Sequence, residues 1–334
     1  MQKMRISFKE IQGTLNNVLL KHGFTGQKAG ILSRVFTESS LDGIYSHGLN
    51  RFPRFINDIN EGIVKVDAEP EKINTYGNIQ QWNGNLGPGI LNALSCMSAA
   101  IKIAGSAGIG CVALSNTNHW MRGGTYGWQA ADEGYIGICW TNTQPNMVAW
   151  GGKDPVLGNN PLIIAIPRKE GNIVLDMAMS QYSYGKMEAY THEGKDLEFI
   201  GGLDGNGLLT KDPQEIISNE SALPIGFWKG SGLSFVLDIL AAVLAKGDPT
   251  YRIGLRSEEY GLSQVFIAIS IEWLDNNYSS SVIQEILQNL HKSEPTGNDE
   301  KTYYPGEKTL LTRIKNQKLG IPVNPEIWDV ILNL

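Results

Sequence analysis

The stretch GSAGIGCVALSN, residues 105–116, decides the fold. Gly108, Gly110 and Ala113 are spaced as G-x-G-x-x-A, which matches a dinucleotide fingerprint. Such a fingerprint leaves a strand and opens a helix, so that a pyrophosphate rests on the helix N-terminus. Here the order is reversed. The glycines follow a helical pattern over 89–105 and lead into the strand-like run GCVALSN, 110–116. GNLGPG (84–89) has its glycines in the opposite order, and no GKT-type phosphate loop occurs. If this chain binds a nucleotide, a Rossmann unit is not what binds it.

Around that stretch, short runs rich in β-branched and aromatic residues alternate with helical patterns. The spacing predicts strands at 110–116, 136–142, 161–167, 172–178 and 265–271, with helices at 89–105, 124–133 and 231–245. Gly247 is the expected C-cap of the last helix. Residues 196–226, with LDGNG and KDPQ turns, read as loop and hairpin. Both chain ends read as helix. Ser7-x-x-Glu10 is a capping box ahead of Ile11, Leu15, Val18 and Leu19. Leu32, Val35 and Phe36 mark a second helix, and Pro53 stands near the start of a third bearing Phe55, Ile56 and Ile59. Beyond Asn277, Ile283, Ile286, Leu287 and Leu290 share a face, and SEPTGNDEK (293–301) reads as an exposed, mobile break. One more helix ends near Gly320, and the last begins at Asn324-Pro325. The layout is α/β (α+β): a helical lobe from 1–72 with 276–334, and a central α/β domain, 73–275.

Composition narrows the partners. In 334 residues there are 28 Lys and Arg against 34 Asp and Glu, a net charge of -6 without a basic stripe, so a nucleic-acid partner is not expected. Cys96, Cys111 and Cys139 sit in apolar surroundings without C-x-x-C spacing and read as buried small hydrophobes. The start, MQKMRISFKEIQ, lacks the apolar stretch of a signal peptide. The run from Val236 to Leu244 is interrupted by Asp238 and reads as too short to span a bilayer. A soluble cytoplasmic protein is the expectation.

The histidines are His22, His47, His119, His192 and His291, and their spacings match no compact metal motif, so no metal is expected. His22, before Gly23, reads as a helix-end residue, and His192 and His291 as surface residues. His47 stands between Ser46 and Gly48 in a turn, with Arg51 and Arg54 close behind. A histidine beside cations that hold a carboxylate is what a general acid for a small acidic substrate needs. A loop histidine bonded to backbone fits the same spacing. His119 follows Asn118 at a strand end, placed to polarise or position a substrate, or else is a satisfied buried histidine beside Trp120. Asp176 is the one carboxylate in the apolar strand IVLDMA and requires a partner such as a hydroxyl, a histidine or Lys186. Trp228-Lys229-Gly230-Ser231-Gly232, ahead of the helix at 231–245, is a candidate anion site of free backbone N–H groups and positive charge. A glycine turn with a solvated lysine is the plainer reading. Trp120, Trp128, Trp140, Trp150 and Trp228 read as core more than as pocket lining.

Seven blocks carry a resemblance: GIYSHGLNRFPRF (43–55), NHWMRGGTYGWQAA (118–131), GYIGICWTN (134–142), NNPLIIAIP (159–167), LDMAMS (175–180), FWKGSGLSFVLDIL (227–240) and EYGLSQVFIAI (259–269). They are similar to the malate/L-lactate dehydrogenase family that lacks a Rossmann fold. The resemblance spans nearly the whole chain and is weakest at 60–105, 186–222 and 276–300. It implies a mixed-sheet cofactor domain beside the helical lobe, a homodimer, and an oxidoreductase that uses NADH, or NADPH, on a 2-oxo or 2-hydroxy acid. Family branches act on malate, lactate, ureidoglycolate, sulfolactate, cyclic imino acids and sugar-derived oxo acids; NHWMRGG and WTNTQPN look most like the last. By the same resemblance the histidine of the S-H-G turn, His47, is the proton donor. Cofactor contacts fall on Asn172, Ile173, Val174, Leu175, Asp176, Met177 and Ala178, on Trp228 and Lys229, and on Gly306, Glu307 and Lys308. Arg51 is then the group to hold a substrate carboxylate, with Ser46, Asn118, His119 and Asp176 also at the substrate. The chain departs from the member of the family it most resembles at Gly306-Glu307-Lys308, where that member reads G-H-E, and at Lys186, where it has no lysine. Both bear on how the cofactor's outer groups are held. Rival readings are a sugar-acid binding protein without catalysis, and a cofactor-free isomerase or lyase using His47 and Asp176.

Overall fold

The computed structural model describes residues 4–274, 276–296 and 301–334. Residues 297–300 of the expected mobile break lie outside them. The N-cap half of the expected capping box forms: Ser7 Oγ accepts the Glu10 N–H (3.2 Å) and opens α1 (Phe8–Lys21), which buries Ile11, Leu15, Val18 and Leu19. α2 (Gly26–Leu41) buries Leu32, Val35 and Phe36. Two 3-10 turns, Tyr45–His47 and Leu49–Arg51, then lead into α3 (Phe52–Asn60), where Pro53 stands in the first turn. These helices share one core with Trp328 and Ile331 near the C-terminus.

The N-terminal region is not wholly helical. β1 (Met4–Ile6) pairs antiparallel with Ile321–Val323 and ties the chain ends together. Strands of three residues show no periodicity, which is why the sequence showed only a helix end near Gly320. Exposed β2 (Glu71–Tyr76) and half-buried β3 (Ile79–Asn83) also escaped the pattern.

The central part then runs α4 (Gly89–Ala107), β4 (Ile109–Thr117), α5 (Gly124–Asp132) and β5 (Tyr135–Thr141). A ribbon of β6 (Met147–Val148) and β7 (Pro155–Leu157) follows, then β8 (Leu162–Ile166), β9 (Ile173–Met177) and α6 (Tyr184–Glu193). The expected hairpin is β10 (Gly202–Leu203) with β11 (Leu209–Thr210), and after it come α7 (Pro213–Ser218), α8 (Trp228–Ala245), α9 (Thr250–Ile253) and β12 (Leu262–Ser270). The chain closes with α10 (Asn276–His291), α11 (Glu307–Leu319), β13 (Ile321–Val323) and α12 (Pro325–Leu332). Gly108, at φ 80°, caps α4 and hands the chain to β4, so the glycine pair does close a helix and open a strand.

Seven strands form a sheet in the order β2-β3-β4-β12-β5-β8-β9. Only β3 and β4 run parallel; the other neighbours are antiparallel. The sheet is therefore mixed, and a doubly wound parallel unit is absent from it. Alternate residues of these strands face opposite sides. Val112, Leu114 and Phe266 pack under α4 and α5, while Ala113, Trp140 and Val265 pack under α8.

α8 departs from expectation in three ways. It starts at Trp228, not 231, and its left-handed cap is Lys246, not Gly247. At 18 residues it is, like α4, long and apolar enough by length and composition to cross a membrane. One face nevertheless belongs to the fold: Trp140 Nε1 donates to Leu237 O, and Asp238 Oδ1 accepts from Asn142 Nδ2 and the Thr250 N–H (both 2.9 Å). The opposite face exposes Phe235, Val236, Ile239, Leu240 and Val243. Trp150 and Trp228, expected in the core, are also exposed, and Cys111 is only half-buried.

Candidate active site

Gly48 is what lets the S-H-G turn sit down on α2. A Cβ there would lie 2.1 Å from Ser40 Oγ, the oxygen that accepts the Leu49 N–H (2.8 Å). The turn presents Ser46 and His47, whose Oγ and Nδ1 are hydrogen-bonded at 3.0 Å. The His47 ring stacks on that of His119, centroids 5.8 Å apart and planes inclined by 17°. His119 Nδ1 accepts the Met121 N–H (3.0 Å), so the neutral ring carries its proton on Nε2. Met121 adopts φ 61° to make that turn, a strain of about 1–3 kcal/mol stored beside the two rings.

Arg51, Arg54, Asp58, Asn118, His119 and Glu259 line a hollow next to these rings. Arg54 faces Glu258 at 3.6 Å, and Glu259 Oε2 accepts the Gln144 N–H (3.0 Å). The Arg51 side chain makes no hydrogen bond or ion pair among the described residues; burial and then the Arg54 charge hold its pKa below the usual value, against Glu259, Asp58 and Glu188, which raise it. Burial, then Arg51, then Arg122 push the pKa of His47 down to about 4. Burial, Arg51 and His47 drive that of His119 down as well. Both rings are neutral at pH 7 and lie near a cation whose side chain makes no direct ion pair among the described residues.

Asn118 is brought here too, but its amide nitrogen donates to the carbonyls of Ile63, Leu86 and Gly87 (3.2, 2.7 and 3.1 Å), which makes it a strut of its loop with only Oδ1 unpartnered. Asp176 is solvent-accessible yet surrounded by protein, as a group deep in a cleft is; desolvation raises its pKa against Arg122 and the Gly124 N–H, which lower it. Its partners are not those the sequence offered. Oδ2 accepts the Gly124 N–H (2.8 Å), and Lys186 instead sits over the rings of Tyr182 and Tyr190 (4.9 and 5.6 Å). Arg122, Asp42 and Arg313 were missed: Asp42, wholly buried, accepts from Arg122 Nη1 and from Arg313 Nε and Nη2. The one signal, for Arg122 alone, was a charged residue between Trp120-Met121 and Gly123-Gly124.

The three segments assigned to a cofactor meet along β9, the sheet's edge strand. The Val174 N–H donates to Pro305 O (2.9 Å), laying 305–308 beside β9, and the Ile225 N–H donates to Met179 O (2.7 Å), bringing 225–229 to its other end. Within them Asn172 is already bonded to Asp132 and to the Arg168 N–H, Glu307 to His291, Lys301 and the Tyr304 N–H, and Lys308 lies 4.4 Å from the Tyr303 ring centroid. His291 is thus half-buried and engaged, not a free surface residue. The cradle expected at 228–232 is also occupied: the N–H groups of Lys229, Gly230 and Ser231 donate to Gly226, Ile225 and Phe227. An anion there meets the exposed Lys229 side chain and not a nest of free N–H groups.

A mixed sheet without a Rossmann crossover, carrying two neutral imidazoles beside an unpaired arginine, defines an α/β enzyme that handles small carboxylates. The chain belongs to the malate/L-lactate dehydrogenase family, whose profile matches residues 6–332. It is 42% identical over 330 residues to the 2,3-diketo-L-gulonate reductase of Citrobacter koseri, covering 98% of this chain and 99% of that one. Its fold is similar to malate dehydrogenase from Entamoeba histolytica (TM-score 0.93, 28% identity, 100% and 99% covered). It is likewise similar to that of Pyrococcus horikoshii OT3 (TM-score 0.88, 28% identity, 98% and 93% covered). A dehydrogenase of this family implies a nicotinamide cofactor, and the open Asp176 carboxylate on β9, next to an orphaned Arg122 Nε–H, is a donor and acceptor set that fits one.

Proposed function

We propose that the chain reduces the 2-oxo group of 2,3-diketo-L-gulonate to 3-dehydro-L-gulonate, with His47 as proton donor. The observation that carries this reading is the unpaired Arg51 guanidinium beside the stacked His47 and His119 rings; the substrate is supported by the name of the 42%-identical relative. Arg51 holds the substrate carboxylate through paired hydrogen bonds. Ser46 orients His47, which delivers its proton to the oxygen of the reduced carbon, and His119 polarises that oxygen through Nε2–H. A reduced nicotinamide, when bound, supplies the hydride. NADH is the proposed cofactor, with NADPH as the second choice, held by residues 172–178, Trp228, Lys229 and 306–308.

The division into a lobe of 1–72 with 276–334 and a central domain of 73–275, and a cytoplasmic setting, belong to the same proposal. So does a homodimer, in which a second copy covers the apolar outer face of α8.

The test is oxidation of NADH and of NADPH at 340 nm with 2,3-diketo-L-gulonate, pyruvate and oxaloacetate. Turnover with diketogulonate well above the other acids, and a His47→Ala loss of roughly 10² to 10⁴ in kcat, are expected. Oxaloacetate turned over better than diketogulonate moves the substrate to malate, and a His47→Ala variant with near-full kcat ends the assignment of the acid.

A further inference from the structure

We infer that Arg122 is a positioning residue, holding Asp176 so that its free carboxylate oxygen receives an N–H of the carboxamide of the bound nicotinamide. This rests on the cofactor reading above.

Arg122 lies between β4 and α5 with its side chain 6% exposed. Nη1 is committed to Asp42, but the buried Nε–H has no hydrogen-bond partner. A buried N–H left unpaired is costly, so its presence needs a reason. The reason lies across Gly124: a Cβ there would stand 2.7 Å from Asp176 Oδ2 and 3.3 Å from Arg122 Nε. The guanidinium and the carboxylate therefore face each other over space that only a glycine leaves empty. The Gly124 N–H fixes Oδ2 (2.8 Å), and Oδ1 remains as an acceptor open to the cleft.

The charges agree with this. Arg122 shares Asp42 with Arg313, and Arg313 has the charges of Glu38 and Asp132 acting on it as well. Asp176 is the carboxylate that faces Arg122 across Gly124, and it stays an acceptor. A carboxylate so placed takes a neutral N–H donor and repels an anion.

The donor follows from position. Asp176 is bonded to the N–H of Gly124, five residues beyond His119, whose ring stacks on that of His47, which puts Asp176 on the side of the site that holds the proton donor. In a nicotinamide dinucleotide, the N–H donor next to the reacting ring carbon is the carboxamide. Fixing that group fixes which face of the ring meets the substrate.

The experiment is equilibrium binding to the full chain, read by tryptophan fluorescence, of NAD⁺, deamido-NAD⁺ and 3-acetylpyridine adenine dinucleotide, or of the NADP⁺ series if that binds better. Deamido-NAD⁺ replaces the carboxamide by a carboxylate, and the acetylpyridine analogue removes the N–H. Both bind the wild type about 10- to 100-fold more weakly than NAD⁺, the deamido form worse, as loss of a hydrogen bond to a charged group predicts. Asp176→Asn compresses the deamido ratio at least tenfold. Arg122→Lys, which keeps the charge but not the fork, compresses it too, and Gly124→Ala does so with every charge in place. If Arg122→Lys and Gly124→Ala lower Tm and leave the ratio unchanged, Arg122 is merely structural and the inference is overturned. Equal binding of all three dinucleotides by the wild type overturns it while the cofactor reading stands, with Asp176 then turned to a substrate hydroxyl. Binding of none of them overturns both.

Discussion

Titrating His47 with and without an anionic ligand separates a proton donor built for its substrate from a buried loop histidine. Its pKa of about 4 in the free protein means that at pH 7 about one molecule in a thousand carries the proton. Burial is the largest cause, Arg51 the second and Arg122 the third. A carboxylate seated on Arg51 cancels the second cause alone, so the pKa rises on binding but stays below 6.5. The assay is an NMR titration of the imidazoles, with His47→Asn to assign the signal, first in the protein alone and then with saturating oxalate as the anion. One ring with a midpoint near 4 that moves up with oxalate is expected, together with a kcat/KM for reduction that falls about tenfold per pH unit above pH 5. The same shift has a stability sign. Between pH 6.5 and 4 the unfolded chain takes up a proton that folded His47 refuses, so stability is lost as pH falls through that window, about 3 kcal/mol by pH 4 from this residue. A free-protein midpoint at 6.5 or above, or a midpoint that oxalate leaves in place while binding, refutes the reasoning.

Three other outcomes follow from packing. Asp42→Asn strands Arg122 and Arg313 without their carboxylate, and a loss of about 3–5 kcal/mol in denaturant unfolding is expected. Gly185→Ala places a Cβ 2.4 Å from Ser46 Cβ, an overpacking of about 1–3 kcal/mol that shifts the Ser46–His47 pair and lowers kcat; Gly13→Ala, with nothing within 4 Å, is the control and keeps kcat. Val243→Asp, on the exposed face of α8, halves the mass seen by light scattering if that face joins two copies.

What was legible in the sequence was local. The N-cap at Ser7, the Gly108 cap of α4, and the S-H-G turn each state their geometry within a few residues, and each forms. What was not legible was the identity of partners far along the chain. A carboxylate in the apolar strand IVLDMA announces that it needs a counterpart, but the pattern offers Lys186 ten residues on as readily as a backbone N–H 52 residues back. Arg122 and Asp42 lie 80 residues apart, and Arg313 joins them from 271 residues beyond Asp42. The sheet and the terminal strands decide such pairings, and a three-residue strand such as β1 leaves no period to read. A buried charge in a specific block is thus a demand that the sequence can state and only the fold can answer. That is also why the site's least expected member is an arginine in plain view inside the block that carried the family resemblance.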